Sequence, residues 1–375
     1  MEKLDKKEKD AKQSVSIGGA SAVTRSLVGQ FLAVWFRVPI KLFRPTRVDY
    51  MIIPRAINPR ILKGEPWSWK TSSPMLLASA VRQHGWSFIP AFVVPPLLAN
   101  SIIGVVLYTT YIESLQLLHP PSSENVQRAI PPPPFETTYK AGAIAGLAQA
   151  LVSQPIDALT VRFEVNQMLE GRYQSMWHYC ISTLKDVGFK PVFGGFLLSA
   201  AKESLAMGAF FGTFEFIKNQ GYYSFLRLFY GRQHLSLYVN AKEGSQKQPY
   251  WLIAPTFLLV SGLAASVAHT SMHFPLSKVQ EIHLARLESS DYRNRYEQKF
   301  QQRRAIAIYA SEYWKTAKQC SSVAAKNGGW NRWLFKGIVS TAIRGAPATS
   351  FGLIIFESFR SHFAGTSLGS DIFLE

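Results

Sequence analysis

The chain has 375 residues, 47% of them hydrophobic and 17% charged, and its formal net charge is +17. Long apolar stretches recur with single glycines and charges inside them, which is typical of membrane helices that line an aqueous path and argues against two soluble domains. Residues 44–82 and 283–326 each carry more Lys and Arg than Asp and Glu. The positive-inside rule accounts for such loops, and neither combines interleaved aromatic residues with the fold context of a nucleic-acid-binding module.

The first third of the chain predicts two membrane helices. A helix over residues 16–47 breaks at Pro39, and residues 48–72 are expected to form a polar loop rich in Pro and Arg. A short amphipathic helix is expected at residues 74–83, followed by a second long helix at 86–118.

The rest of the chain predicts four more long helices and their connections. A Pro-rich segment, 119–134, ends in four prolines and is expected to be a stiff surface linker. The elements expected after it are a helix from Glu136, a short helix at 175–187, an apolar stretch at 190–218, a polar connection at 219–250, a helix at 251–285, a charged loop at 286–326 and a helix at 331–363.

The stretch 190–218 is the most informative part of the sequence. A helix rises ~1.5 Å per residue and a bilayer core is ~30 Å thick, so this stretch is long enough to cross a membrane. Lys202 and Glu203 lie near its middle, where a charge costs at least ~2.5–3.5 kcal/mol unless it faces a polar cavity or a partner. The sequence therefore predicts one wall of a water-filled membrane cavity.

Three segments of the chain share one order of features. Each has a small-residue helix with a proline, a polar connection, a glycine followed by an aromatic residue, and an apolar helix that ends in an acid. The matching residues are Pro39, Lys41, Gly85, Trp86 and Glu113 in the first segment, Pro155, Asp157, Gly188, Phe189 and Glu215 in the second, and Pro275, Ser277, Gly329, Trp330 and Glu357 in the third. Three copies with two helices each predict six membrane spans.

The order and spacing of these motifs resemble the mitochondrial carrier family, whose repeats carry P-x-[DE]-x-x-[KR] on odd-numbered helices and [FY]-[DE]-x-x-[KR] on even-numbered ones. The resemblance covers residues 16–364 and is most specific at residues 155–157, 214–218 and 356–360. It implies an all-α membrane protein with six transmembrane helices in three pseudo-symmetric repeats and short matrix-side helices. The implied division is a polar tail (1–15), a degenerate first repeat (16–118), a Pro-rich linker (119–135), a second repeat (136–222), a polar connection (223–250), a third repeat (251–364) and a C-terminal tail (365–375).

In carriers of this kind, residues at the ends of the helices form two gates. The odd-helix motifs imply a matrix gate of Pro39, Lys41, Arg44, Pro155, Asp157, Pro275, Ser277 and Gln280. The family pairing sets Lys41 against Thr160, Asp157 against Gln280 and Ser277 against Arg44, and none of these is an ion pair. The even-helix motifs imply a better preserved cytoplasmic gate, in which Glu113 faces Lys218, Glu215 faces Arg360 and Glu357 faces Gln116. The alternative is that these charged helix ends are solvated caps.

The resemblance also implies a substrate site near the membrane midplane. Counting back equally from the closing acids gives Asn100, Lys202 and Arg344, with Ser101 and Glu203 beside them. Arg344 can hold a carboxylate through two parallel hydrogen bonds, and Glu203 offers a partner for an ammonium group. We therefore expect a zwitterionic or carboxylate-bearing metabolite. The alternative is that Lys202 and Glu203 pair only with each other and contact no solute.

Other chemistry is not indicated by the sequence. His269 and His273 share a helical face without the glutamate or third ligand of a zinc motif, Cys180 and Cys320 fit no metal or redox spacing, and an enzyme is not expected. No cofactor is expected, apart from structural cardiolipin, which family analogy places at residues 192–195 and 334–337.

Two functions remain open. The first is a monomeric transporter of the mitochondrial inner membrane, with a small-molecule solute and membrane lipids as partners and no nucleic acid. The second is a carrier-fold protein that has lost transport and acts as an outer-membrane scaffold, insertase or morphology factor, which the worn first repeat favours.

Overall fold

The computed structural model describes residues 48–64, 68, 71–120, 122, 132–163, 170–230, 253–296, 305–343 and 345. Within these ranges every regular element is a helix. The first predicted helix and most of the last one lie outside them.

Residues 48–64 form two short helices where the sequence predicts a polar loop. Helices α1 (Ile52–Ala56) and α2 (Pro59–Leu62) lie there. The side chain of Asn58 caps α2 by accepting a hydrogen bond from the backbone N–H of Arg60 at 3.1 Å.

Burial of apolar residues explains this difference from the expected loop. Tyr50, Met51 and Ile53 are buried in one cluster with Leu76 and Tyr179, which lie on the helices Ser73–His84 and Met176–Val187. These apolar side chains stand among the prolines and arginines of the segment, so composition alone suggests a polar loop.

Two short helices lie where short helices are predicted. They are α3 (Ser73–His84) and α6 (Met176–Val187), and two long helices, α4 and α5, lie between them. Those long helices are α4 (Val94–Leu118), which continues a π-helical turn at Ile89–Val93, and α5 (Phe135–Val161), which contains Pro155.

Helices α7 (Phe189–Val192) and α8 (Phe196–Glu215) follow α6. Beyond α8 the chain stays helical through a π-helical turn at Phe216–Gly221 and α9 (Tyr222–Tyr230), where a polar connection is expected. The aromatic rings explain the extension, because Tyr222 and Phe225 pack against Phe257 with ring centroids 5.7 and 5.3 Å apart.

Helix α10 (Ile253–Tyr296) carries Pro275 and runs past the expected end of its membrane span, and α11 (Ala305–Lys326) occupies most of the expected charged loop. Their polar residues pair with each other. His283 Nδ1 lies 2.9 Å from Thr316 Oγ1, and Arg286 forms an ion pair with Glu312 at 3.4 Å. Helix α12 (Trp330–Phe335) ends before a turn at Lys336 and Gly337, and residues 338–343 are again helical.

Three glycines at matching positions adopt the same unusual backbone conformation. Gly85 ends α3, Gly188 ends α6 and Gly329 precedes α12, with φ angles of 80°, 80° and 110° and ψ angles of 174°, 164° and 165°. Residues with side chains rarely adopt such positive φ angles. These are the Gly-aromatic positions of the three segments aligned from the sequence.

The long helices pack in chain order, α4 on α5, α5 on α8 and α8 on α10. By length and composition, the stretches Ile89–Leu118, Phe135–Val161 and Thr256–Ser290 can each cross a membrane. The core between the long helices is aromatic. Tyr111 of α4 and Phe211 of α8 stack with ring centroids 3.7 Å apart, and Phe214 of α8 is fully buried in the same core.

Small residues let α5 approach α8 closely. A Cβ atom on Gly142 would lie 3.1 Å from Gly208 Cα, and one on Gly146 would overlap the carbonyl oxygen of Glu203 and lie 2.9 Å from Ser204 Cα. Backbone atoms cannot move away as the end of a side chain can. The contact therefore requires glycine, as small-residue motifs in membrane helices do.

We predict that Gly146→Val lowers the free energy of unfolding by about 1–3 kcal/mol, because it overpacks this contact. Thermal unfolding of the detergent-solubilised protein measures the change. The control is Leu147→Val, at an exposed position on the same helix. Equal unfolding temperatures for the two variants would show that α5 and α8 are not in close contact.

Candidate functional site

An ion pair lies in the contact between the long helices. Lys202 Nζ is 3.0 Å from Glu203 Oε1, and the exposed fractions of the two side chains are 6% and 1%. Both residues belong to α8, which packs against α5 and α10. Their contact with each other is the arrangement that the alternative to solute binding assumes.

Helix α5 contributes an amide to this pair. Gln149 Nε2 donates a hydrogen bond of 3.2 Å to Glu203 Oε2, and both side chains are buried. Gln149 lies three residues after Gly146, so the close approach of the backbones brings its side chain within reach. A donor to an ionised carboxylate stabilises the charged form.

Helix α10 contributes two histidines. His273 Nε2 lies 3.6 Å from Glu203 Oε1, and the ring of His269 stacks on that of His273 with centroids 4.9 Å apart. Phe210 meets the edge of His269. The sequence identifies these histidines as residues that line a cavity or pack, and the structure places one of them against the carboxylate.

We call the five residues Gln149, Lys202, Glu203, His269 and His273 the central cluster. It joins three helices and presents one ammonium group, one carboxylate, one amide and two imidazoles. Such ionisable groups between membrane helices are costly and mark solute or proton paths.

The other expected substrate-site residues lie in different surroundings. Asn100 binds the backbone of Val48 twice, donating from Nδ2 to the carbonyl at 3.0 Å and accepting from the N–H at 3.4 Å. Ser101 donates to the carbonyl of Leu97 at 2.9 Å. Arg344 lies outside the described residues, but its neighbour Gly345 is buried near Ser266 of α10.

At the expected cytoplasmic gate, the structure brings Glu215 and Lys218 together. Their charged atoms are 3.8 Å apart, and Asn219 donates to Glu215 at 2.7 Å. Glu113 is exposed and Gln116 is half-buried on α4. Glu357 and Arg360 lie outside the described residues, so the pairing around the ring stays a prediction.

At the expected matrix gate, Pro155 and Pro275 lie inside α5 and α10 and are half-buried, as is Asp157. Gln280 is buried, and Ser277 donates to the carbonyl of Phe274 at 2.8 Å. Pro39, Lys41 and Arg44 lie outside the described residues.

Sequence reasoning missed polar residues that connect the helices, and two of them lie next to predicted site residues. One is Gln149, and the available signal was a single amide in a run of small apolar residues. The other is Lys278, whose Nζ donates to the carbonyls of Trp333 and Lys336 at 2.7 and 2.9 Å and so caps the end of α12.

The described residues hold no group of three or more His, Cys, Asp or Glu side chains arranged to bind a metal ion. Cys180 and Cys320 are free thiols, and burial raises the pKa of both. A raised pKa makes a thiol a weak nucleophile at neutral pH.

Long apolar helices with an ionic cluster between them define a multi-span membrane protein. The family model described as "Mitochondrial carrier protein" matches residues 132–223. The chain is 25% identical to Mitochondrial thiamine pyrophosphate carrier 1 of Pyricularia oryzae over 353 residues, which are 94% of this chain and 93% of the relative. It is 22% identical to a glutamate/glycine mitochondrial carrier of Schizosaccharomyces pombe over 225 residues, 60% of this chain and 61% of the relative.

A further relative is Solute carrier family 25 member 45 of Mus musculus, 26% identical over 127 residues, which are 32% of this chain and 43% of the relative. No solved structure matches the chain significantly. These matches support a divergent relative of the mitochondrial carriers. With the membrane-spanning helices, they indicate a mitochondrial membrane protein that is a transporter rather than an enzyme.

We predict that Lys202→Met and Glu203→Gln each destabilise the protein by about 3–5 kcal/mol, because each leaves a buried group without its partner. The double variant should lose less than the sum of the two single losses. Thermal unfolding in detergent gives the three values. Additive losses would mean that the two side chains do not stabilise each other.

Proposed function

We propose that the protein moves a small anionic or zwitterionic metabolite, of the amino-acid or carboxylate type, across the mitochondrial inner membrane. Solute binds in a central cavity, which opens by turns to the matrix and to the cytoplasmic side. The observation that carries the proposal is the buried Lys202–Glu203 pair of α8 with its partners on the two neighbouring helices.

The chemistry of the pair favours this class of solute. Replacing a buried ion pair by apolar residues of similar volume often leaves the stability of a protein unchanged or raises it. Stability alone is therefore a weak reason for the presence of the pair. Lys202 supplies a cation for a carboxylate or phosphate, and Glu203 supplies an anion for an ammonium group. The proposed substrate site consists of Asn100, Ser101, Lys202, Glu203 and Arg344.

The relatives support the same solute class. One is named for thiamine pyrophosphate, which combines phosphate groups with a cationic ring, and another for glutamate and glycine. Each of these molecules bears both signs of charge. They are the first solutes to test, since the two relatives leave open which anionic group this chain binds.

A threefold arrangement of two-helix repeats, six spans in all, is part of the proposal. The shared backbone geometry of Gly85, Gly188 and Gly329 supports it, as does the packing of α4, α5, α8 and α10 in chain order. In the proposed mechanism the cytoplasmic gate of Glu113, Gln116, Glu215, Lys218, Glu357 and Arg360 alternates with a matrix gate of Pro39, Lys41, Arg44, Pro155, Asp157, Pro275, Ser277 and Gln280. Cardiolipin at residues 192–195 and 334–337 is proposed by family analogy alone.

A second candidate is the carrier-fold protein that has lost transport and acts as an outer-membrane scaffold or insertase. Two contacts favour it. Asn100 is held by the backbone of Val48, and Lys202 forms an ion pair with Glu203. Fractionation of mitochondria separates the two candidates, because the scaffold would be found in the outer membrane and the transporter in the inner one.

We predict that the purified protein in liposomes takes up radiolabelled L-glutamate, glycine or thiamine pyrophosphate, and that Lys202→Ala and Arg344→Ala each lower uptake at least tenfold. A loss of about 1.4 kcal/mol in binding free energy suffices for that factor. The control is Lys140→Ala, which removes an exposed lysine of α5. Thermal unfolding must show that the variants remain folded.

The proposal is wrong if the two variants transport as the wild type does, or if the wild-type protein transports none of the three solutes and fractionates with the outer membrane.

A further inference from the structure

We propose that an added helical hairpin of the third repeat supplies the closing contact of the matrix gate. We call residues 282–296 of α10 and 305–316 of α11 the third-repeat hairpin. It holds the turn between α7 and α8 against α10 and releases this turn when the matrix side opens. This inference rests on the transport function proposed above and adds two positioning residues to its gate, Glu312 and Tyr313.

The odd-numbered helix of the third repeat is longer than its counterpart in the second. Helix α5 ends at Val161, six residues past Pro155, whereas α10 reaches Tyr296, 21 residues past Pro275. At ~1.5 Å per residue α10 extends over ~66 Å, about twice the ~30 Å of a bilayer core. Its last turns therefore stand beyond the membrane.

The short helix that follows is lengthened as well. Helices α3 and α6 have 12 residues each and lie directly before the matched glycines Gly85 and Gly188. Helix α11, at the corresponding place before Gly329, has 22 residues and begins at Ala305. The added turns at its start pack against the added turns of α10 and make the hairpin.

Polar and aromatic contacts join the two helices of the hairpin. The side chain of Glu312 is 4% exposed, and its carboxylate lies 3.4 Å from Arg286 of α10 and 2.6 Å from Lys315 of its own helix. The ring of His283 on α10 packs against that of Tyr313, with centroids 4.1 Å apart. These contacts hold α11 at a fixed place on α10, so that Tyr313 reaches the second repeat.

Tyr313 connects the hairpin to the start of α8. Its hydroxyl donates to the carbonyl of Gly194 at 3.0 Å, in the turn between α7 and α8. Gly195 precedes α8 and has no side chain to cap it, so the hydroxyl from the third repeat lies where a cap would. Burial raises the pKa of Tyr313, although the backbone N–H groups of Leu197 and Leu198 act on the same oxygen in the opposite direction. The hydroxyl therefore remains a donor near neutral pH.

Apolar packing accompanies this hydrogen bond. A Cβ atom on Gly195 would lie 2.9 Å from Leu284 Cδ2 and 3.5 Å from Leu287 Cδ1, and both leucines are buried on α10. Glycine thus lets the turn press directly against α10. Lys202 follows two turns later on α8, so the contact fixes the start of the helix that carries the proposed substrate residues.

The expected matrix gate leaves room for a closing contact of another kind, because none of its three family pairings is an ion pair. Among the described gate residues and their pairing partners, Thr160 donates to the carbonyl of Ile156 and Ser277 to that of Phe274, each within its own helix. Bonds within one helix do not hold two helices together. The hairpin contact does, since it runs from the third repeat to the second.

Opening the matrix side requires these two repeats to separate at this end. The hydrogen bond from Tyr313 to Gly194 and the leucine packing are then lost together. A hydrogen bond of ordinary strength shifts a two-state equilibrium by about two- to tenfold. A contact of this size suits a gate, because a much stronger one would hold the protein in one state. Glu312 acts through Tyr313, by keeping α11 on α10.

The test measures the distance between the second and third repeats in the full-length protein, reconstituted in liposomes without solute. Spin labels are attached at exposed positions of α6 and α11 through His178→Cys and Lys318→Cys, after the native thiols Cys180 and Cys320 have been replaced by alanine. Double electron–electron resonance then gives the populations of the closed and open arrangements. The unfolding temperature of each variant is recorded beside them.

We expect the protein with an intact hairpin to show mainly the shorter distance. Tyr313→Phe and Glu312→Gln should each raise the population of a longer distance at least threefold. A merely structural role would lower the unfolding temperature and leave the two populations as they are. Tyr313→Phe removes one oxygen atom only, so it keeps the test decisive where Glu312→Gln does not fold.

The matched controls are Tyr173→Phe, at a half-buried position before α6, and Glu136→Gln, which removes an exposed carboxylate of α5. Both should keep the distances of the intact hairpin. Unchanged populations in Tyr313→Phe would overturn the gate contact, and the transport function would stand as long as liposomes take up solute. One distance in every variant, together with no uptake of any solute, would sink the transport proposal and the gate contact with it.

Discussion

The structure depends on one costly interaction, the buried contact between Lys202 and Glu203. Two charges taken out of water lose several kcal/mol of hydration each, and their attraction regains this only when further hydrogen bonds satisfy the remaining atoms. Gln149 of α5 supplies such a hydrogen bond, and His273 of α10 lies 3.6 Å from the same carboxylate. The surroundings of this one carboxylate therefore join α5, α8 and α10 at this level.

Close packing makes that arrangement possible. Gly142 and Gly146 bring the backbone of α5 against α8, and Ser204 adds a hydrogen bond to the carbonyl of Ala143 at 3.0 Å. Away from the cluster α8 meets α4 through aromatic rings, with Tyr111 stacked on Phe211. Polar contacts and dry packing thus alternate along α8. A transporter needs both, because its site must be polar while the rest of the bundle holds together in lipid.

The sequence predicted the features that depend on local chemistry. The glycines at 85, 188 and 329 were found from their aromatic neighbours and all have positive φ angles. The central pair was found from charges in an apolar run. The helices within 48–72 and 286–326 were not predicted. Residues distant in sequence stabilise them, such as Tyr179 for the first segment and His283 for the second. The proximity of Gln149 and His273 to Glu203 likewise depends on packing between helices, which spacing along one helix does not specify.

The central claim is that the charged pair meets a solute and does not merely hold the bundle together. Exchanging the two residues, Lys202→Glu with Glu203→Lys, tests this most directly because it keeps both charges while moving each to a new position. Uptake of L-glutamate and thiamine pyrophosphate by the exchanged protein is the measurement, with the unfolding temperature recorded beside it. The account predicts a folded protein that transports neither solute. Uptake at the wild-type rate would contradict it.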